Sequence, residues 1–306
     1  MKTSGILQIR NGELSLQNEQ DTTFYRSLFI DTSNIDEVQK WNATGAIDGA
    51  TSNQAVMLKD GIKPKNFTKV VKAICEELKD KPVSVELSDS TATPKDMIEE
   101  AKRYADIAEN VVVKVPLIPN TTKSLYVINE LSKLDIAVNV TTIVTFEQMV
   151  MAAFSARHNK KTSFLSLFWG RSIEDSATYR SRFDYMAKYP RVGLESEINR
   201  SPHAITTATA SFLKEGGFDN LRIIVGSIRT ASMVGEAFAS GGHICTVTPE
   251  ILNAMLFSQR TIETIKQFDD AWKEMQTANG EPKLDETPIS LTVRRVRANG
   301  SSKLKV

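Results

Sequence analysis

The chain has 306 residues, 41% hydrophobic and 25% charged, with 38 basic against 37 acidic side chains and a formal net charge of +1. It can therefore bury a sizeable core, and it has no global charge to draw in nucleic acid or an anionic membrane. Two distant cysteines, Cys75 and Cys245, argue against a disulfide framework and favour a reducing compartment, with the cytoplasm as the expected address.

The N-terminal twenty residues lack the continuous apolar core of a signal peptide, and no apolar run is long enough to span a bilayer. Residues 6–16, ILQIRNGELSL, alternate apolar and polar around Asn11-Gly12, which predicts a β-hairpin with a type I′ turn in an N-terminal extension over 1–26. From Ser27 short β-branched runs alternate with segments of helical period. The expected strands are LFID (28–31), AIDGAT (46–51), PVSVEL (82–87), VVVKV (111–115), IAVNVT (136–141), FLSLF (164–168), RIIVGS (222–227) and HICTV (243–247). Eight such units predict a single (β/α)8 TIM barrel over 27–278 rather than an open doubly wound sheet. Thr93-Pro94 and Thr248-Pro249 read as helix starts, with threonine as cap and proline at the first helical position. The stretch between Arg171 and Arg222 is longer than one helix requires and predicts two or three helical pieces over one barrel mouth. In the tail, 279–306, ISLTVRR (289–295) alternates and is expected to pair with the N-terminal hairpin. The basic residues Arg294, Arg295, Arg297, Lys303 and Lys305 have no interleaved aromatics and read as a solvated end.

Side-chain parity turns this outline into a site. Side chains of a barrel strand alternate between the interior and the surrounding helices. In VVVKV, Val113 and Val115 take the helix-facing parity, which turns Lys114 inward, where an ammonium is expensive unless it is paired or gives up its proton. The same reasoning turns Asp31 inward beside Leu28 and Ile30, and Glu86 beside Val85 and Leu87. Asn139 and Thr141 turn inward between Val138 and Val140, as do Ser166 and Phe168 between Leu165 and Leu167. Five strands thus aim polar groups at one place near their carboxyl ends, where barrels of this class carry their chemistry.

The ordered segments IDTSN (30–34), DGATSNQ (48–54), VVVKVP (111–116), NVTTI (139–143), SLFWGR (166–171) and GSIRT (226–230) resemble the signature segments of the transaldolases, over roughly residues 27 to 275. The resemblance implies a cofactor-free class I aldol mechanism through a lysine Schiff base. It would make Lys114 the Schiff-base lysine, Asp31 the acid/base at the C4 hydroxyl, and Glu86 the partner of Thr141 in dehydrating the carbinolamine through a water. Asn53 and Asn139 would hold donor hydroxyls, Ser166 would contact the three-carbon fragment, and Arg171, Ser227 and Arg229 would bind phosphate. Glutamate and phenylalanine at the positions of Glu86 and Phe168 go with transfer, whereas glutamine and tyrosine go with free aldolase activity. Two positions depart from the family: Gln54 and Leu167 stand where proline is usual.

A fructose-6-phosphate aldolase, a non-catalytic sugar-phosphate-binding relative and a metal-dependent aldolase or hydrolase are the alternatives. The intact Lys114, Asp31 and Glu86 argue against the second. His158, His203 and His243 show no metal-ligand spacing and read as loop or core histidines, and no nucleotide-binding glycine motif occurs. Small sugar phosphates are the expected partners, with no nucleic acid or membrane; a homo-oligomer is compatible with the sequence.

Overall fold

The computed structural model describes residues 7–10, 13–16, 26–181 and 196–277, with side chains for 26–175 and 196–277. The chain divides into two compact units, Met1–Leu256 and Phe257–Val306. In the first, strands β1 (Leu7–Arg10) and β2 (Glu13–Leu16) form an antiparallel pair with Leu7 opposite Leu16 and Arg10 opposite Glu13. The hairpin expected there is present; its Asn11-Gly12 turn and the expected pairing with 289–295 lie outside the described residues.

Eight parallel strands close a barrel: β3 (Ser27–Asp31), β4 (Gly49–Thr51), β5 (Val83–Glu86), β6 (Val111–Pro116), β7 (Val138–Ile143), β8 (Ser163–Phe168), β9 (Leu221–Gly226) and β10 (Ile244–Val247). They follow the chain in order around the cylinder, and β10 closes it by pairing with β3. Each expected strand is there, with ends shifted by a residue or a few. The intervening helices begin where the sequence supplies caps. Asn34 accepts from the backbone of Asp36 and Glu37 at the start of α1 (Ile35–Ala43). Asn53 opens α2 (Gln54–Lys59), which precedes α3 (Phe67–Leu78). Thr93 accepts from Asp96 N–H ahead of Pro94 in α4 (Pro94–Ala105). Next come α5 (Lys123–Lys133) and α6 (Phe146–Ala156), the latter with a reciprocal capping box between Thr145 and Gln148. Between Arg171 and Arg222 the described helical pieces are α7 (Trp169–Ser181), a 3₁₀ turn at Ile198–Arg200 and α8 (Pro202–Glu215). The barrel ends with α9 (Ala231–Ala239) and α10 (Pro249–Met255); Thr248 stands at the cap position of α10 without a side-chain capping bond. The described part of the second unit is one helix, α11 (Gln259–Thr277). No helix among the described residues is long and apolar enough to cross a membrane.

Two apolar layers hold the cylinder. Outside it, Val85, Val113, Val115, Val138, Val140, Leu165, Leu167, Ile223 and Val225 are fully buried against the helices. Inside it, a separate cluster of Phe29, Val112, Ala137, Phe164, Ile224 and Ile244 fills the lower barrel, with Phe29 and Phe164 edge to face at 5.9 Å. Burial of each large member stabilises the fold by roughly 1.5–3 kcal/mol and makes a dry floor. Gly49 accommodates that floor: a Cβ there would stand 2.8 Å from the Phe29 ring and 2.8 Å from the Pro82 carbonyl. One turn of the pleat higher, at the next inward position, the six strands of this cluster carry Asp31, Lys114, Asn139, Ser166, Gly226 and Thr246. The polar layer therefore rests on a packed apolar plug.

Candidate active site

Strand register puts Lys114 of β6 opposite Glu86 of β5 on one side and Asn139 of β7 on the other. Lys114 is only 5% exposed. Its Nζ lies 3.5 Å from Glu86 Oε2 and donates to the Ser52 carbonyl at 3.1 Å. The amine is thus inside the barrel, beside a carboxylate that is itself mostly buried. Asp31 ends β3, next to Thr51 of β4, and its Oδ1 accepts from Thr51 Oγ1 at 2.7 Å; Thr51 in turn shares a 2.5 Å hydrogen bond with Thr246 of β10. Burial pushes both the Asp31 and the Glu86 carboxyl above the ordinary value, and the Lys114 charge opposes the rise in each case. The Asp31 charge further raises Glu86, and the Asp60 charge further raises Asp31.

Asn139 is fully buried and fixed from both ends: its Nδ2 donates to Ser84 Oγ at 3.0 Å, and its Oδ1 accepts from Ser166 Oγ at 2.7 Å. One more inward step along β7, Thr141 is fully buried, and its Oγ1 has no hydrogen-bond partner among the described residues. A buried hydroxyl left unpaired costs about 1–3 kcal/mol, which a water or a hydroxyl of a bound molecule would offset. Just beyond, Thr142 takes a φ of +65° where the β7–β8 register shifts, a bulge at the site end of the strand. Asn53 caps α2, its Oδ1 accepting from Val56 N–H at 2.9 Å. Gln54, at the usual proline position, donates from Nε2 to the Leu87 carbonyl at 2.6 Å. It thereby ties the start of α2 to the chain leaving β5, immediately after Glu86.

On another arc of the mouth, Arg171 lies in the first turn of α7 and Arg229 follows β9; both are exposed. A single carboxylate joins them: Glu174 Oε2 is 3.1 Å from Arg171 Nη1, and its Oε1 is 3.4 Å from Arg229 Nη2. Ser227 adopts a φ of +57°, and its carbonyl accepts from Gly170 N–H at 3.0 Å. The approach is close enough that a Cβ on Gly170 would stand 2.3 Å from that oxygen. Phe168 ends β8, half-buried, opposite Gly226.

The barrel thus gathers Asp31, Glu86, Lys114, Asn139, Thr141 and Ser166 in its interior, and it joins Arg171 to Arg229 at the rim. Parity reasoning missed Ser84, although it lies two residues before Glu86 and so shares its direction. It also missed Thr51, because the strand GAT is too short to set its parity, and Thr246, because Ile244 and Val247 leave both parities of HICTV with apolar residues. Glu174 lay outside every strand pattern. Of the histidines, His243 is largely buried with Nδ1 accepting from Ile223 N–H, and burial pushes its pKa down to about 4. His203 stacks edge-on against Trp169, and His158 accepts from Arg157. Among the described residues no group of three or more candidate ligands could hold a metal ion.

Residues 28–293 match the family described as Transaldolase/Fructose-6-phosphate aldolase. A probable transaldolase from Streptococcus equi subsp. equi is 31% identical over 80% of this chain and 96% of its own length. One from Thermoanaerobacter sp. is 32% identical over the same shares, and one from Clostridium tetani is 30% identical over 81% and 98%. Among solved structures, a dihydrodipicolinate synthase from Rhodopseudomonas palustris aligns over 83% of this chain and 80% of its own, at a TM-score of 0.48 and 15% identity, too distant to bear on function.

Proposed function

The chain belongs to the transaldolase/fructose-6-phosphate aldolase family, and on that premise we propose that it moves a dihydroxyacetone unit from a ketose phosphate to an aldose phosphate through a Schiff base on Lys114. Fructose 6-phosphate or sedoheptulose 7-phosphate would serve as donor, in a cytoplasmic setting. The observation that carries this reading is the buried Lys114 amine 3.5 Å from the Glu86 carboxylate.

The steps need few groups. The uncharged amine attacks the C2 carbonyl of the donor to give a carbinolamine. Glu86, with a water held at the unpaired Thr141 hydroxyl, protonates the departing hydroxyl so that water leaves and an iminium forms. Asp31 removes the C4 hydroxyl proton, the C3–C4 bond breaks, and its electron pair moves to the iminium nitrogen. An aldose phosphate leaves, and the three-carbon enamine stays on Lys114. An acceptor aldehyde then takes the C3 electrons, Asp31 returns the proton to the new hydroxyl, and hydrolysis frees the amine. Burial suits both acids to this shuttle, because a carboxylate raised above its ordinary value binds a proton more readily. Asn139, locked between Ser84 and Ser166, and Asn53, with its amide N–H left to donate, would hold donor hydroxyls, while Ser166 contacts the fragment. Arg171, Arg229 and Ser227 would bind the phosphate, for which two planar guanidiniums are suited.

Glu86 and Phe168 support transfer over free aldol cleavage, and the apolar floor limits the water that would discharge the enamine. The test is release of glyceraldehyde 3-phosphate from fructose 6-phosphate with and without erythrose 4-phosphate. Release that depends on the acceptor is expected; equal release without it would make the enzyme an aldolase.

A further inference from the structure

We propose that Glu174 is a built-in competitor for the phosphate subsite, a carboxylate that spans Arg171 and Arg229 and must be displaced by the substrate's terminal group. The proposal rests on the phosphate-binding reading of the two arginines. Its own basis is geometric: each Glu174 oxygen takes a different guanidinium, at 3.1 and 3.4 Å, the arrangement that two oxygens of a phosphate would adopt. The side chains of Glu174 and Arg229 are each 49% exposed and that of Arg171 is 63% exposed, so the pairs are solvated and weak enough to exchange.

Two effects follow from one carboxylate. Without substrate, it offsets the repulsion between two like charges and keeps both guanidiniums together at the mouth. With substrate, it sets a threshold for entry. A monoanionic terminus offers the arginines no more charge than the carboxylate it replaces, whereas a phosphate ester carries a charge of about −1.5 to −2 at neutral pH and prevails. Glu174 is therefore a specificity-determining residue, which selects dianionic over monoanionic or neutral sugar ends.

The test is competitive inhibition by inorganic phosphate, measured with fructose 6-phosphate as substrate, for the full-length enzyme and Glu174→Gln. Glutamine keeps the shape and removes the competing charge. An exposed ion pair is worth up to a factor of about five, so the inhibition constant for phosphate is expected to fall about fivefold. The same substitution in an Arg171→Ala/Arg229→Ala background should leave the constant unchanged. A purely structural Glu174 would instead give a higher constant, and that result, or no change, overturns the competitor role while leaving the phosphate site standing. If the double arginine variant is inhibited as strongly as the parent, the phosphate site itself fails and this proposal falls with it.

Discussion

Asp31 concentrates the conflict between stability and chemistry. Its carboxyl is raised by burial, so the folded protein holds that proton more tightly than the unfolded chain does. The stability linked to that proton is fully present below the ordinary aspartate value of 3.8 and is lost as pH rises through the folded-state value. Asparagine reproduces the protonated shape and can still accept from Thr51. Asp31→Asn is therefore expected to be more stable than the parent by about 1 kcal/mol at pH 8, the scale typical of relieving a strained site. The gain should close as the pH falls below 4, while kcat drops by about two to four powers of ten for loss of the proposed acid/base. Chemical denaturation at the two pH values checks the first part; equal stability at pH 8 would show that the buried charge costs nothing. At this scale the sequence was most informative where a polar residue broke an apolar run, as Lys114 does. It was silent where the partner was a backbone atom, such as the Ser52 carbonyl, or a helix-surface residue such as Glu174, because neither disturbs a hydrophobic pattern.

Among the elements, the contact between the start of α7 and the end of β9 positions the rim. Gly170 N–H meets the Ser227 carbonyl, and the arginines that follow each residue share Glu174. Since Ser227 already sits at a φ of +57° and a Cβ on Gly170 would come within 2.3 Å of its oxygen, the two elements have little freedom to part without moving both arginines. Gly170→Ala is expected to raise KM for fructose 6-phosphate about ten- to hundredfold, the scale of an ångström-sized misplacement, and steady-state kinetics would reveal an unchanged KM if the contact were irrelevant. Strand identities were legible because β-branched runs set their parity, and the cap at Thr93 is likewise written locally, whereas Thr248 holds the cap position without a side-chain bond. The bulge at Thr142 and the shortness of β4 were not legible, since a register shift and a three-residue strand leave too little periodicity to read. Gln54 replaces a rigid proline with a side-chain tie to the Leu87 carbonyl, so the departure in sequence keeps a connection between the β4 and β5 exits.

At the level of the whole molecule, the closed barrel explains how a lysine side chain is held inside a protein. Six apolar side chains floor the cylinder, and the layer above them offers Lys114 a carboxylate and a carbonyl rather than hydrocarbon. That architecture was visible from eight alternating units in order, whereas the expected pairing of residues 289–295 lies outside the described residues. The two compact units meet at residues 256 and 257, inside the span 27–278 that the βα rhythm suggested for the barrel. What the fold delivers is a buried amine 3.5 Å from the Glu86 carboxylate, and the covalent chemistry proposed for it can be read out directly. Borohydride reduction in the presence of fructose 6-phosphate, followed by peptide mapping, should place a stable adduct on Lys114 and lose it in Lys114→Arg. An adduct on another lysine, or none with either ketose phosphate, would contradict the account.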